Sequence, residues 1–180
     1  MSALLPPARP KIDRPTVEQI LRAHKTSATV AIIGRRGYYR DSMGQPGRND
    51  RGIYDDALIV VSPTAFVTFN GNTDPSVHRK AIATLKPGVW SYKLGIHGLS
   101  KPKDQQYRAL VQAAPVTVIR DQAGEETGWF GINIHRGGRT TTSSLGCQTI
   151  PPDQWPAFIA LVEAEMKRHQ VKEVKYVLVD

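Results

Sequence analysis

One cysteine in 180 residues leaves no partner for an intramolecular disulfide, so the fold owes nothing to an oxidising compartment. Long apolar runs are missing as well. No stretch reaches eighteen apolar residues, which excludes an ordinary membrane-spanning helix and with it stable membrane insertion. The opening segment MSALLPPARPKIDRP has no apolar core and its prolines oppose a helix, so it reads as neither signal peptide nor anchor. The expectation is a chain made in the cytoplasm without a general export signal. His-Glu-x-x-His and paired Cys-x-x-Cys spacings are absent, and no cofactor or metal is expected. Acidic residues are the scarcer charge, 16 against 24 basic, and the resulting +8 favours an anionic partner or simply a solubilising surface. Nucleic acid, an anionic membrane surface and the bacterial cell wall all have the matching sign. Without an arginine-rich run or an RNA-binding aromatic motif, nucleic acid is not the expected partner.

What is present reads as one domain of ordinary composition, with 40% hydrophobic residues and 15 glycines. Residues 1–28 form a tail and a short helix, in which Thr16 and Gln19 make a capping-box pattern ahead of Val17, Ile20 and Leu21. Residues 29–180 form a single mostly β (α+β) domain. TVAIIG is a strand, and the glycine-rich, charged stretch 35–55 is a long loop. ALIVVS and AFVTF flank Ser62-Pro63-Thr64 as a hairpin. GVWSYKLGIH alternates as a strand; PVTVIRD and GWFGINIH are two more. Pro151-Pro152-Asp153 announces a helix whose Trp155, Phe158, Ile159, Val162 and Met166 share one face, with Lys167, Arg168 and His169 at its cationic end. VKYVLVD is a last strand. Aromatics at alternating strand positions, such as Trp90 and Tyr92, belong more often to a core than to a cleft. Trp129 is the candidate wall of a substrate cleft.

The lone thiol carries the chemistry. Cys147 lies in SSLGCQTI, twelve residues after His135 at the end of GWFGINIH, a separation that allows the two to face each other from neighbouring strand ends. A nearby imidazole removes the thiol's proton and makes it a nucleophile. A buried, inert cysteine is the plain alternative. Gly137, Gly138 and Gly146 permit tight backbone turns and close approach of a peptide. The amides of Gly146 and Cys147 are the expected oxyanion donors, and the second nitrogen of His135 needs an acceptor that no acidic residue of the motif supplies. His97, in GIHGL, competes as the base from fifty residues upstream and otherwise lines the cleft.

Three segments in fixed order carry a resemblance. TLKPGVWSYKLG resembles the Thr-Pro-x-Gly-x-Tyr/Phe-x-Ile segment of L,D-transpeptidase catalytic domains, NIHRGG their strand ending in Ile-His-Gly, and SSLGCQT their Ser-His-Gly-Cys-x-Arg nucleophile motif. The likeness spans roughly residues 57–169. It implies a β-sandwich or barrel with a helix after the nucleophile. The implied activity is cysteine acyl transfer on peptidoglycan stem peptides through a thioester acyl-enzyme. It assigns Cys147 as nucleophile, His135 as general base, Ser144 to the Ser/Thr position and Gly146 to the glycine beside the nucleophile, and it implies a backbone carbonyl within Ser143–Leu145 as the acceptor for the second nitrogen of His135. Leu145 stands where a second histidine is usual, and Thr149 where the arginine is expected. Losing that arginine favours hydrolysis, as by an L,D-carboxypeptidase or endopeptidase, over cross-linking. Thr149, His97, Trp129 and the loop arginines Arg136 and Arg139 are the remaining substrate-binding candidates.

Two rivals remain. A zinc hydrolase would use His97, His135 and Cys147 as ligands and Asp55 or Asp56 as base. A basic wall-binding or virion module would bury the cysteine without using it. A compact, basic wall enzyme lacking a leader fits a phage lysin released at lysis or an effector injected into a rival cell, and a monomer is the expected state.

Overall fold

The structure is a computed structural model that describes residues 3–180. Eleven strands and two α-helices follow one another as α1 (Arg14–Ala23), β1 (Ala31–Arg35), β2 (Asp56–Val61), β3 (Phe66–Gly71), β4 (Ala83–Leu85), β5 (Gly88–His97), β6 (Tyr107–Gln112), β7 (Val116–Arg120), β8 (Gly124–Gly128), β9 (Ile134–Arg136), β10 (Gln148–Ile150), α2 (Trp155–Arg168) and β11 (Val174–Val179). Eight strands form one sheet in the order β10-β9-β6-β5-β11-β1-β2-β3, and β4-β7-β8 form a second. A bridge between Asn72, just past β3, and Thr149 in β10 joins the two edges of the large sheet. The result is a nearly closed barrel, the mostly β fold expected from the sequence. Among the described residues no helix is long and apolar enough to cross a membrane.

Alternation explains the layering, because successive strand residues point to opposite faces. Ile32, Leu58, Val60, Tyr176 and Leu178 belong to the main core, where Phe158, Val162 and Met166 of α2 pack. Their neighbours Ala31, Ile33, Ile59 and Val177 form a second cluster with Val17 of α1, against which Ile20 and Leu21 also pack. Strands β1, β2 and β11 are thus covered on both faces, which is why ALIVV reads as a continuous apolar run. The α1 cap differs from expectation. Asp13, not Thr16, is the N-cap, its carboxylate accepting the Thr16 N–H at 2.8 Å. Pro15 then sits in the first turn, where a missing N–H costs nothing.

The short strands β4 and β10 are not among those expected from the sequence, and three further assignments change. YRALVQ forms β6, a central strand next to β5, although Ala109, Leu110 and Val111 hide its alternation. GEETG forms β8, exposed along most of its length and held to β7 by pairs such as Thr117–Thr127 and Arg120–Glu126. GWFGINIH is strand only from Ile134. Gly131 takes a left-handed φ of 69°, and the amides of Phe130 and Ile132 donate to the Gln112 side chain instead of a neighbouring strand.

The long loop between β1 and β2 is tied down by buried charge. Asp56 accepts the amides of Gly37 and Thr73, at 2.5 and 2.6 Å, and Asp55 accepts that of Asp50. Arg36 reaches Thr73, the Leu85 carbonyl and Asp74, while Arg51 grips Asp121 with both terminal nitrogens. These two arginines are therefore structural. Burial, reinforced by the neighbouring carboxylates, pushes Asp55 up to about 7 and Asp56 well above the usual range. The folded chain holds the Asp55 proton more tightly than the unfolded one, so this site's contribution to stability falls as pH rises from about 4 through 7. Asp55→Asn removes that penalty. The variant should melt higher than the wild type at pH 8 and within a degree or so of it at pH 4, as read by thermal unfolding.

Candidate active site

Strands β9 and β10 run parallel with Ile134 opposite Gln148 and His135 opposite Thr149, which brings Cys147 abreast of Asn133. The turn before the cysteine is built by two serines. Ser144 Oγ accepts the Gly146 amide at 3.0 Å and donates to the Cys147 carbonyl at 2.7 Å. Ser76 accepts the Ser144 amide at 2.7 Å and donates its own amide to the Ser144 carbonyl at 2.8 Å. Gly146 has a φ of 131°, and a Cβ there would meet the Ala83 carbonyl oxygen at 2.5 Å. Only glycine fits. Ser144 and Gly146 thus shape the turn that carries Cys147. The Gly146 amide, already bonded, is not an oxyanion donor, which leaves that of Cys147.

Cys147 keeps part of its surface open. Its sulfur accepts the Asn133 amide and donates to the Gly131 carbonyl, each at 3.4 Å. Burial pushes the thiol up to about 11, against the smaller opposing effect of the Asn133 amide. Among the described residues no hydrogen bond joins the sulfur to either imidazole.

His135 is 5% exposed. Its Nδ1 lies 2.8 Å from the Arg136 carbonyl and 3.2 Å from the Tyr107 hydroxyl. A carbonyl only accepts, so Nδ1 carries the proton and Nε2 holds a free lone pair. The partner carbonyl is that of Arg136, not one within Ser143–Leu145. His97, at the end of β5, stacks on this ring with centroids 4.0 Å apart and planes 20° from parallel. Burial and then the charge of His97 push His135 down to about 4, with Lys101 and Arg136 adding to the effect against the opposing carbonyl bond. His97 is lowered too, by burial and by Lys101. At neutral pH the site holds a thiol and two uncharged rings.

A groove of about 760 Å³ opens beside this group, with Ile96, His97, Leu99, Lys101, Trp129 and Asn133 among its walls. Lys93 is its other cation, and no carboxylate lines it. Residues 129, 131 and 133 face the groove, whereas 130 and 132 face a smaller pocket of about 200 Å³ with Arg79, Arg120 and the exposed Leu145.

The structure therefore stacks His97 on His135, lines the groove with His97, Trp129 and Asn133, holds the sulfur of Cys147 against the Asn133 and Gly131 backbone at the groove's edge, and sets the other candidates elsewhere. Thr149 is fully buried and exchanges two backbone hydrogen bonds with Asn72, both 2.8 Å, so it closes the barrel instead of meeting substrate. Arg139 pairs with Asp153 at 2.8 Å on the open surface, outside the groove. Arg136 lies over the Tyr107 ring. Tyr92 is core, as its alternating position suggests. No residue of the long 35–55 loop lines the groove, though Tyr54 supports the connecting loop by donating to the Gly138 carbonyl at 2.7 Å. Asn133, Tyr107, Gln112 and Ser76 went unnoticed in the sequence, because each acts through a strand or turn whose pairing only the fold defines. Among the described residues no three His, Cys, Asp or Glu side chains converge as a metal donor set. No protein-family model, curated protein or solved structure matches the chain.

Two measurements probe this geometry. Alkylation of Cys147 by iodoacetamide should quicken about tenfold per pH unit from 7 to 10, following the thiolate fraction; a plateau near pH 7 would mean a preformed ion pair instead. Gly146→Ala, forced against the Ala83 carbonyl at a φ that side chains avoid, should cost about 2 kcal/mol or more in urea unfolding.

Proposed function

We propose that this chain is a cysteine acyl-transfer enzyme of the L,D-transpeptidase type that acts on peptidoglycan stem peptides. The observation that carries the reading is a partly open thiol at the start of β10, one strand over from a buried imidazole with an unprotonated Nε2 in β9, next to the apolar groove that Asn133 and His97 line. The motif order and the +8 charge support a wall substrate.

In the proposed reaction a peptide lies along the groove and the thiol turns from the Gly131 carbonyl toward His135. Nε2 takes the proton as sulfur attacks the carbonyl carbon. The Cys147 amide stabilises the oxyanion. The C–N bond breaks, the imidazolium returns its proton to the departing amine, and a thioester remains. Water then resolves it, since Thr149, closed into the barrel, offers no cation for a second peptide's carboxylate. With both partners neutral at rest, substrate arrival triggers the proton transfer, so the free enzyme has no standing ion pair. Release at lysis or injection into a rival cell would bring such an enzyme to the wall.

One observation favours the non-catalytic wall-binding module: the thiol's proton is held tightly and bonded to backbone. Incubation with purified muropeptides separates the two. Mass spectrometry should find a peptide shortened by hydrolysis, identifying bond and acceptor. Cys147→Ala should fall to background and His135→Ala should lose about 10²-fold or more in kcat/KM with the melting transition kept. Wild-type rates in either variant, or wall binding with no product from the unaltered protein, would end the enzymatic reading.

A further inference from the structure

The second imidazole is explained neither by the motif resemblance nor by the reaction just derived. His97 comes from the far end of β5 and makes two contacts that bear on the site. Its ring covers that of His135 at 4.0 Å, and its Nδ1 lies 3.3 Å from Asn133 Nδ2. An amide nitrogen only donates, so His97 Nδ1 accepts and its proton sits on Nε2. Asn133 is also the residue whose main-chain N–H holds the sulfur of Cys147. The two rings therefore carry opposite tautomers, each imposed by a separate partner: Asn133 for His97, the Arg136 carbonyl for His135.

We propose that His97 is a positioning residue for the base: its ring, fixed by Asn133, clamps the His135 ring in plane, so that His135 Nε2 stays available to the thiol. This deepens the acyl-transfer reading and rests on it. The clamp also keeps the base uncharged, and the physical basis is local. A protonated His135 would lie against a second imidazole, with Lys101 and Arg136 nearby, Tyr107 at its Nδ1 and the Cys147 thiol on the adjoining strand. No carboxylate acts on the ring to offset those cations. Stacking also removes the freedom of χ2, so the base needs no acidic third residue to hold its orientation. Where the resemblance leads to a histidine beside the nucleophile, the chain has Leu145, exposed and facing the other pocket. The second imidazole arrives instead from β5.

The test compares His97→Ala, which removes the ring, with His97→Phe, which keeps a flat ring but no nitrogen or charge. In the full-length protein, His135 is followed by NMR of labelled histidines, assigned with His135→Gln. Wild-type His135 should remain neutral down to about pH 5; in His97→Ala its titration should move up by at least one pH unit, toward the ordinary imidazole value of about 6.5. The acid limb of kcat/KM on muropeptides should move with it. At pH 7, kcat should drop about tenfold in His97→Ala with KM within about twofold, and His97→Phe should recover most of that loss. An unchanged titration and an unchanged kcat in His97→Ala overturn the proposal while leaving acyl transfer standing. If the unaltered protein yields no product, acyl transfer fails, and the NMR titration still decides whether His97 controls the His135 ring. Should His97→Ala not fold, His97→Phe carries the test. Near wild-type kcat with a raised titration would then support the clamp, and a tenfold loss of kcat with the flat ring still in place would overturn it.

Discussion

Two backbone hydrogen bonds between Asn72 and Thr149, each 2.8 Å, decide where the candidate nucleophile lies. They join the last strand edges of the eight-stranded sheet, and without them β10 would be a three-residue edge strand paired on one side only. Such a short edge is weak on its own. The closure continues upstream, where Ser76 and Ser144 exchange hydrogen bonds and Asn72 donates to the Asp74 carbonyl. Segment 72–76 is in turn anchored through Arg36 and Asp56 to both ends of the long loop. The cysteine turn thus inherits its rigidity from a network of buried polar groups. Each is worth only about 1 kcal/mol net when satisfied, and costs more than that when a partner is lost.

Solvation sets the chemical character of the site. A thiolate beside an imidazolium needs water or compensating charge, and this pocket supplies little of either near the sulfur. Burial raises the thiol and lowers the histidine, and the two effects together favour the uncharged pair. Lys101 in the groove and Arg136 beside the base push the same way on the histidine. With Lys93, the groove lysine also creates a positive field that suits an anionic peptide. One charge pattern therefore has two effects, keeping His135 neutral and giving the groove a positive field.

Much of this was legible in the sequence where local chemistry and tertiary structure agree. The β5 strand, the β2–β3 hairpin and α2 fall where their apolar spacing puts them, because each buries a full face or stripe against one core. β6 escaped because adjacent Ala109 and Leu110 are both buried, and β8 because two glutamates and two glycines have no strand preference of their own. The truncated β9 escaped for a different reason: a buried glutamine side chain, Gln112, stands in for a strand partner, and no periodicity announces that. At the site, the cysteine and both histidines were visible as residue types. Their tautomers were not, since these depend on which carbonyl or amide the fold brings within reach.

The departures from the transpeptidase motif acquire a common cause in the fold. Thr149 occupies a fully buried position at the barrel seam, where a long charged side chain would have to leave water, a cost of several kcal/mol unless it is paired. Leu145 sits on the turn that Gly146 forces against Ala83, and its side chain faces the pocket of Arg79 and Arg120, away from the groove. A histidine at 145 would be remote from the groove that His97 lines. With residue 149 closed into the barrel and residue 145 turned away, the groove's cations are the lysines at 93 and 101, and its imidazole comes from the end of β5. The strand that forms one wall of the groove thus supplies one of its two lysines and the ring stacked on His135.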